Sequence, residues 1–238
     1  MERLQKIISN FGYCSRRKAE DLIVNGKVSV NGKIVSNLGA KADLNDVIVV
    51  EGHELKENDK EYILLYKPRG VVTTTSDDKG RKTVIDLIDT DKRLYPVGRL
   101  DYDTSGVLLL TNDGNLTNML IHPKNNIQKV YVAKIDERVN PGQIKKLTTG
   151  VVINGKKTRA DRVKIKTLTK SKSIIEITIH EGKYHQVKRM FEAVGYKVSG
   201  LKREKFAFLD LRGLTSSQYR HLSVKEVKKL YALCLNRK

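Results

Sequence analysis

The 238-residue chain has no tryptophan, four prolines and two cysteines, and aromatic residues make up only 6% of it. Cys14 and Cys234 provide neither a metal-ligand spacing nor a disulfide framework, which fits a reducing compartment. The five histidines (His53, His122, His180, His185 and His221) form no HxxxH pair and no cluster with cysteine, so a metal site is not expected. No apolar run approaches the roughly 18–20 residues that a membrane span needs. No N-terminal stretch has the basic, apolar and small-residue layout of a signal peptide. A cytoplasmic protein without membrane contact is expected. Internal repeats and low-complexity segments are absent as well. Negative charge is also scarce: 27 Asp+Glu face 46 Lys+Arg, giving a formal net charge of +19 and a pI near 9.8. Such an excess points to a polyanionic partner.

The positive charge gathers at both ends of the chain. Residues 182–238 carry 14 basic and 4 acidic side chains, and residues 1–41 carry 8 and 3. At the N-terminus, Leu4, Ile7, Ile8 and Phe11 fall on one face of a short helix that Gly12 closes. Ser15 can cap a second helix with the apolar face Ala19, Leu22 and Ile23, ended by Gly26. The stretch "KVSVNGKIV" then alternates and turns on Asn31-Gly32, a strong hairpin signal. Arg16, Arg17 and Lys18 crowd the first turn of the second helix, where the macrodipole disfavours cations by some tenths of a kcal/mol each. A cluster that works against its own helix is better explained by phosphate contacts than by a solvated face.

The strand-like "DVIVVEG" and the polar run 53–61, read as a linker, divide a module over 1–55 from a larger domain over 60–238. In the larger domain the patterning predicts strands at 62–66, 71–75, 107–111, 130–135, 162–167 and 174–180. It predicts helices at 83–88, 115–121, 142–148, 185–194 and 223–233. Strands and helices mix without strict alternation, so the fold class expected is α+β, with a mostly antiparallel sheet flanked by helices. Four stretches exceed packing needs: "YKPRG" (66–70), "GRLDYDTSG" (98–106), "QKVYVAKI" (128–135) and "EGKYHQVKRMF" (181–191). Each alone has an ordinary explanation as a turn, a packed tyrosine or a solvated helix start. Together they supply a carboxylate, cations to neutralise it and hold phosphates, and an aromatic ring on which a base could stack.

With these residues in view, the chain resembles the RNA pseudouridine synthases. "GRLDYDTSG" is similar to the G-R-L-D-x-x-T/S-x-G signature of that family, and "YKPRG", "KVYVAK" and "HQVKRM" follow its flanking motifs in order. The segments "RLQKII" and "CSRRKAEDLIVNGKVSVNGKIV" resemble the small RNA-binding domain named after the fourth small-subunit ribosomal protein. This pairing is that of the RsuA/RluB branch, which modifies ribosomal RNA.

The resemblance implies isomerisation of uridine: the C1′–N1 bond breaks, the uracil turns, and C1′ joins C5, with no metal or cofactor. It makes Asp101 the essential carboxylate and Lys188 its cationic partner, where relatives often carry the bidentate Arg. Arg99 would help flip the nucleotide, and Tyr131 would stack on the flipped base and handle a proton. Asp103 would only form the turn. Arg3, Arg16, Arg17, Lys18, Lys67, Lys129, His185 and Arg189 are the expected RNA contacts. A monomer acting on ribosomal RNA is expected, with the large-subunit (23S) type favoured by "KPRG", "SDDKGRKTV" and "REKF". Two other readings carry less weight. An N-glycosidase using Asp101 and Asp103 would need both side chains on one face, which two residues apart occurs only on an extended segment, and the Gly/Thr/Ser context is a turn. A non-catalytic assembly factor would have no reason to keep Asp101 and Tyr131.

Overall fold

Two helices and a hairpin form at the N-terminus where the apolar spacing calls for them. The computed structural model describes residues 1–56 and 58–235. A short strand β1 (Glu2–Arg3) leads into α1 (Leu4–Asn10), which buries Leu4, Ile7 and Ile8 completely. Helix α2 (Arg16–Val24) is capped as expected: the Ser15 hydroxyl accepts the Lys18 N–H at 3.1 Å. Strands β2 (Val28–Val30) and β3 (Lys33–Ile34) turn through Asn31 and Gly32 at φ 51° and 78°, the left-handed pair that a tight hairpin requires. Strand β4 (Lys41–Ala42) pairs with β1. Strands β5 (Ile48–Val50) and β6 (His53–Glu54) extend the hairpin into a sheet of order β3-β2-β5-β6.

Residues 53–55 therefore depart from the linker reading. His53 and Glu54 pair with β5, and Leu55 packs on the module's core. Residue 57 of that run, and residues 236–238 of the C-terminal basic segment, lie outside the described residues. Met1–Glu61 with Thr90–Arg93 and Asn112–Gly114 form one compact unit; the rest of the chain forms a second.

The second unit is built on one large sheet. Its strands are β7 (Tyr62–Lys67), β8 (Tyr95–Pro96), β9 (Thr104–Thr111), β10 (Lys129–Ile135), β11 (Val151–Ile153), β12 (Lys156–Thr158), β13 (Arg162–Leu168), β14 (Ser173–Ile179), β15 (Gly200–Phe206), β16 (Leu209–Asp210) and β17 (Tyr219–His221). Nine of them form the sheet, in the order β13-β14-β10-β15-β9-β7-β17, with β16 beside β15 and β8 beside β9. Every pair in it is antiparallel except β9 with β15.

Helices α3 (Gly114–Ile121) and α6 (Val224–Leu235) bring Leu116, Leu120 and Leu230 into one core with Leu64, Val107 and Leu109. Helices α4 (Pro141–Thr149) and α5 (Gln186–Glu192) bring Ile144, Leu147, Met190 and Phe191 into another, with Ile63, Leu65, Leu108 and Leu110. Strand β9 is covered on both faces, which is why "GVLLLT" is apolar at successive positions and not only at alternate ones.

Three sequence expectations fail here. Residues 71–75 form no strand, because only Val72 finds a bridge partner, Thr83. The helix expected at 83–88 shrinks to a single 3₁₀ turn, Ile85–Leu87. The β11–β12 hairpin and strands β8, β15, β16 and β17 were not foreseen. The hairpin turns on Asn154-Gly155, the same signal that had marked Asn31-Gly32. Strand β15 was hidden by four charges in a row, Lys202 to Lys205.

Candidate active site

The loop leading into β9 carries Asp101, and its backbone is held from several sides. Lys67, at the end of β7, is fully buried; its ammonium donates to the carbonyls of Pro68 (3.0 Å), Asp101 (3.1 Å) and Thr104 (2.9 Å). The Gly70 N–H donates to the Tyr102 carbonyl at 2.8 Å. The Thr73 hydroxyl donates to the Leu100 carbonyl at 2.7 Å and accepts the Leu100 N–H at 3.3 Å. Thr104 N–H closes the turn onto the Asp101 carbonyl. Residues 67–73 are thus a clamp for the loop that carries the carboxylate.

Lys67 corrects the sequence reading. It was expected to touch RNA, but its three donors are taken by backbone in the protein interior, leaving nothing to offer a phosphate. Burial pushes its ammonium down to about 8, opposed by the negative charges of Asp101 and Asp103.

Gly106 closes the signature for a different reason. It lies at φ +124° where β9 meets β15, and a Cβ there would lie 2.6 Å from the Arg203 backbone nitrogen and closer still to its carbonyl oxygen. Backbone cannot retreat from such an overlap, so only glycine fits.

The Asp101 carboxylate is about a quarter exposed. His185 Nε2 lies 3.5 Å from Oδ1, and Lys188 Nζ lies 3.5 Å from Oδ2. Lys188 is nearer to Asp103, donating to both of its oxygens at 2.6 and 2.8 Å. That hydrogen bond holds the Asp103 carboxyl below its ordinary range. Lys188 is therefore shared, and Asp103 does more than shape the turn: it anchors the cation that also faces Asp101.

His185 precedes α5 in the left-handed conformation (φ 51°), and its ring stacks on Tyr184 with centroids 3.9 Å apart. The Arg189 guanidinium lies over the other partner of that stack, the Tyr184 ring. Gln186 is buried and holds the turn before the helix. Its Oε1 accepts the Lys183 N–H at 2.9 Å, and its Nε2 donates to Glu181 at 3.1 Å. The "HQ" pair thus fixes where His185 and Lys188 stand.

These elements enclose a cleft of about 530 Å³, lined among others by Arg99, Asp101, Lys129, Tyr131, His185 and Arg203. Arg99 is exposed at its edge. Tyr131 is 9% exposed and belongs to the apolar core, yet it lines the cleft, so packing and access meet in one residue. Lys129, on the same face of β10, donates to the His180 carbonyl at 2.8 Å, and burial, aided by the nearby Arg203, pushes its ammonium down to about 8.

Arg203 escaped the sequence reading altogether. It sits opposite Tyr131 in the β10–β15 register and is 3% exposed. The alternation of Leu201, Arg203 and the non-polar end of β15 would have shown it, had a charged residue been allowed on a buried face. Arg3, Arg16, Arg17 and Lys18 belong to the N-terminal unit, where all four are exposed. Among the described residues no group of His, Cys, Asp and Glu could hold a metal ion, and no helix is long and apolar enough to cross a membrane.

The cleft thus brings the carboxylate of a clamped loop within 3.5 Å of His185 and Lys188, with a tyrosine among its lining residues. Residues 61–193 match the family model of RNA pseudouridylate synthases, and residues 2–48 match the S4 domain. The chain belongs to the RNA pseudouridylate synthases, isomerases that turn uridine in RNA into pseudouridine, and it carries an S4 domain ahead of its catalytic part.

It is 52% identical over 236 residues to the ribosomal large subunit pseudouridine synthase B of Bacillus subtilis (strain 168), covering 98% of this chain and 97% of that one. An uncharacterized RNA pseudouridine synthase of Aquifex aeolicus (strain VF5) is 39% identical, over 96% of this chain and 93% of its own. A crystal structure of a pseudouridylate synthase, 33% identical, superposes over 97% of this chain and 100% of that one with a TM-score of 0.67.

Proposed function

We propose that this enzyme isomerises one uridine of ribosomal RNA in the large subunit, with Asp101 as the carboxylate that works at C1′. The observation that carries the chemistry is Asp101 itself: an accessible carboxylate on a clamped loop, 3.5 Å from both His185 and Lys188. The choice of RNA is supported by the 52% identity to a large-subunit synthase over nearly the whole of both chains.

Tyr131 stacks on the flipped uracil and serves a late proton transfer, and Arg99 fills the gap left in the RNA. Arg3, Arg16, Arg17 and Lys18 on the S4 domain hold phosphates, as do Arg189 and His185 beside the cleft. The protein acts as a monomer in the cytoplasm, a setting that its free thiols Cys14 and Cys234 fit. The test is a map of pseudouridines in 16S and 23S RNA from cells with and without the gene. One 23S position should revert to uridine in its absence. Loss of a 16S position would move the enzyme to the other subunit, and an unchanged map would overturn the reading.

A further inference from the structure

The cleft floor holds two cations that the roles above leave without a task in the chemistry. Arg203 projects from β15 beneath Tyr131. Its Nε–H donates to the Val107 carbonyl at 2.8 Å, and its Nη1–H reaches the Tyr131 hydroxyl only at 3.5 Å. Its Nη2 is buried with no partner. The Phe206 ring lies 5.3 Å from the guanidinium carbon, and Lys129 Nζ lies 6.0 Å from the centroid of the same ring. Among the described residues neither cation forms an ion pair with a carboxylate. Lys129 keeps two of its three donors beyond the bond to the His180 carbonyl. A buried guanidinium with an unmatched nitrogen is costly to keep, and the ammonium of Lys129 nearby adds repulsion. A fold that keeps them there gains when an anion enters the cleft.

The isomerisation supplies one. When the C1′–N1 bond breaks, both electrons stay with the base, and the detached uracil carries a negative charge spread over N1, O2 and O4. The charge disappears when C5 joins C1′, and the proton lost from C5 balances the one gained by N1. Resting on the reading of the cleft given above, we propose that Arg203 Nη2 and Lys129 Nζ receive the carbonyl oxygens of the uracil and stabilise the negative charge it carries between the two bonds. Asp101 then works on the sugar side and the Arg203–Lys129 floor on the base side, with Tyr131 between them. Asp101, Lys129, Tyr131 and Arg203 all line this cleft, and its other carboxylate, Glu181, is already tied to Lys183, Thr158 and Gln186. Fixed donors aimed at developing charge in a site closed to water are typically worth about 10²–10³ in rate each.

The test uses an RNA fragment carrying the mapped uridine, or 2-thiouridine or 4-thiouridine at that one position. Sulfur accepts hydrogen bonds poorly, and its intrinsic effect on the reaction is common to all enzymes compared. Arg203→Met and Lys129→Met are each measured for melting temperature, RNA affinity and single-turnover rate. Arg203→Met should bind the fragment within about three-fold of wild type and turn it over roughly 10²–10³ times more slowly. Wild type should lose rate on one or both thio substrates, and the variant that lacks the matching donor should show no further loss there. Equal thio effects in wild type and in both variants would overturn the proposal, as would an unchanged single-turnover rate in Arg203→Met. If Arg203→Met melts below the assay temperature, Lys129→Met carries the same comparison, judged by the same results. Failure of the wild type to convert the unmodified fragment would sink the reading of the site and this proposal with it.

Discussion

The N-terminal unit and the catalytic unit both use clusters of cations, yet place them in opposite surroundings. Arg16, Arg17 and Lys18 stand exposed on the first turn of α2, where no acidic residue offsets them. Lys67 and Arg203 are buried in the large sheet, and Lys129 is half-buried beside them. An exposed cation at a helix N-terminus gains nothing from its own fold and is useful only to an anion from outside. Lys67 is the reverse case, its donors consumed by the backbone that carries Asp101. Arg203 stands between the two: tied at one nitrogen, open at another. Equal formal charge therefore stands in three surroundings: exposed, buried with every donor taken, and buried with one nitrogen open.

The deepest cut between gripping and chemistry comes from Asp101→Asn, which keeps size and removes the charge. Pseudouridine formation should fall to background, while affinity for ribosomal RNA stays within a few-fold because exposed cations supply it. Appreciable turnover by the Asn variant would end the assignment of Asp101. A large loss of affinity would mean that the two tasks are not separable.

Scaffolding is tested by Lys67→Met. Three carbonyls lose their donor, and a buried acceptor left unsatisfied costs about 1–3 kcal/mol, so a total loss of about 3 kcal/mol or more is expected in urea unfolding. Unchanged stability would return Lys67 to the list of RNA contacts. The same lysine predicts a pH dependence. Its folded value of about 8 lies below the 10.5 of a free lysine, so between those limits the unfolded chain binds more protons. Stability of the wild type should therefore rise from pH 8 toward 10.5 relative to Lys67→Met, the burial penalty being complete below that window. Lys129, also near 8, remains in both proteins and cancels. A gap between wild type and variant that narrows with rising pH contradicts the burial argument.

The contrast between clusters also explains what could be read from the sequence. The two N-terminal helices, the Ser15 cap and the Asn31-Gly32 hairpin were legible because local spacing and turn chemistry specify them. The motif residues Asp101, Tyr131, His185 and Lys188 do line or approach one cleft. Lys67 was misread and Arg203 missed because a sequence shows charge without burial, and both lysine and arginine are ordinarily exposed. The pairing of Lys188 with Asp103 spans 85 residues, and no local pattern contains it. The false strand at 71–75 has the β-branched composition of a strand but lacks a neighbour to pair with.

Tyr131→Phe probes the residue that belongs to both regimes. Its ring is part of the core and should keep packing, so the melting temperature should move by no more than a few degrees. The hydroxyl has Arg203 Nη1 as its neighbour at 3.5 Å. Turnover should fall by roughly 10²-fold or more if it handles a proton, with RNA affinity nearly unchanged. Near-normal turnover by the Phe variant would leave Tyr131 as a wall and a stacking surface.

The smallest effect is expected where the cations are most exposed. Arg16→Ala combined with Arg17→Ala removes two charges from the first turn of α2, which no acidic residue balances. If each meets one phosphate, the slope of log affinity against log salt should shrink by about 1.4–1.8 for the pair. Affinity near physiological salt should drop by about ten-fold, and single-turnover rate at saturating RNA should not change, because neither residue belongs to the cleft. The S4 domain itself should be no less stable and slightly more so, since two cations leave the positive end of a helix dipole. That gain in stability combined with lost affinity is the diagnostic result, because a residue kept for the fold cannot produce both. If affinity and salt slope stay at wild-type values, the cluster is a solvated face. The exposed half of the comparison would then have no partner, and the RNA would have to be held by the cations around the cleft.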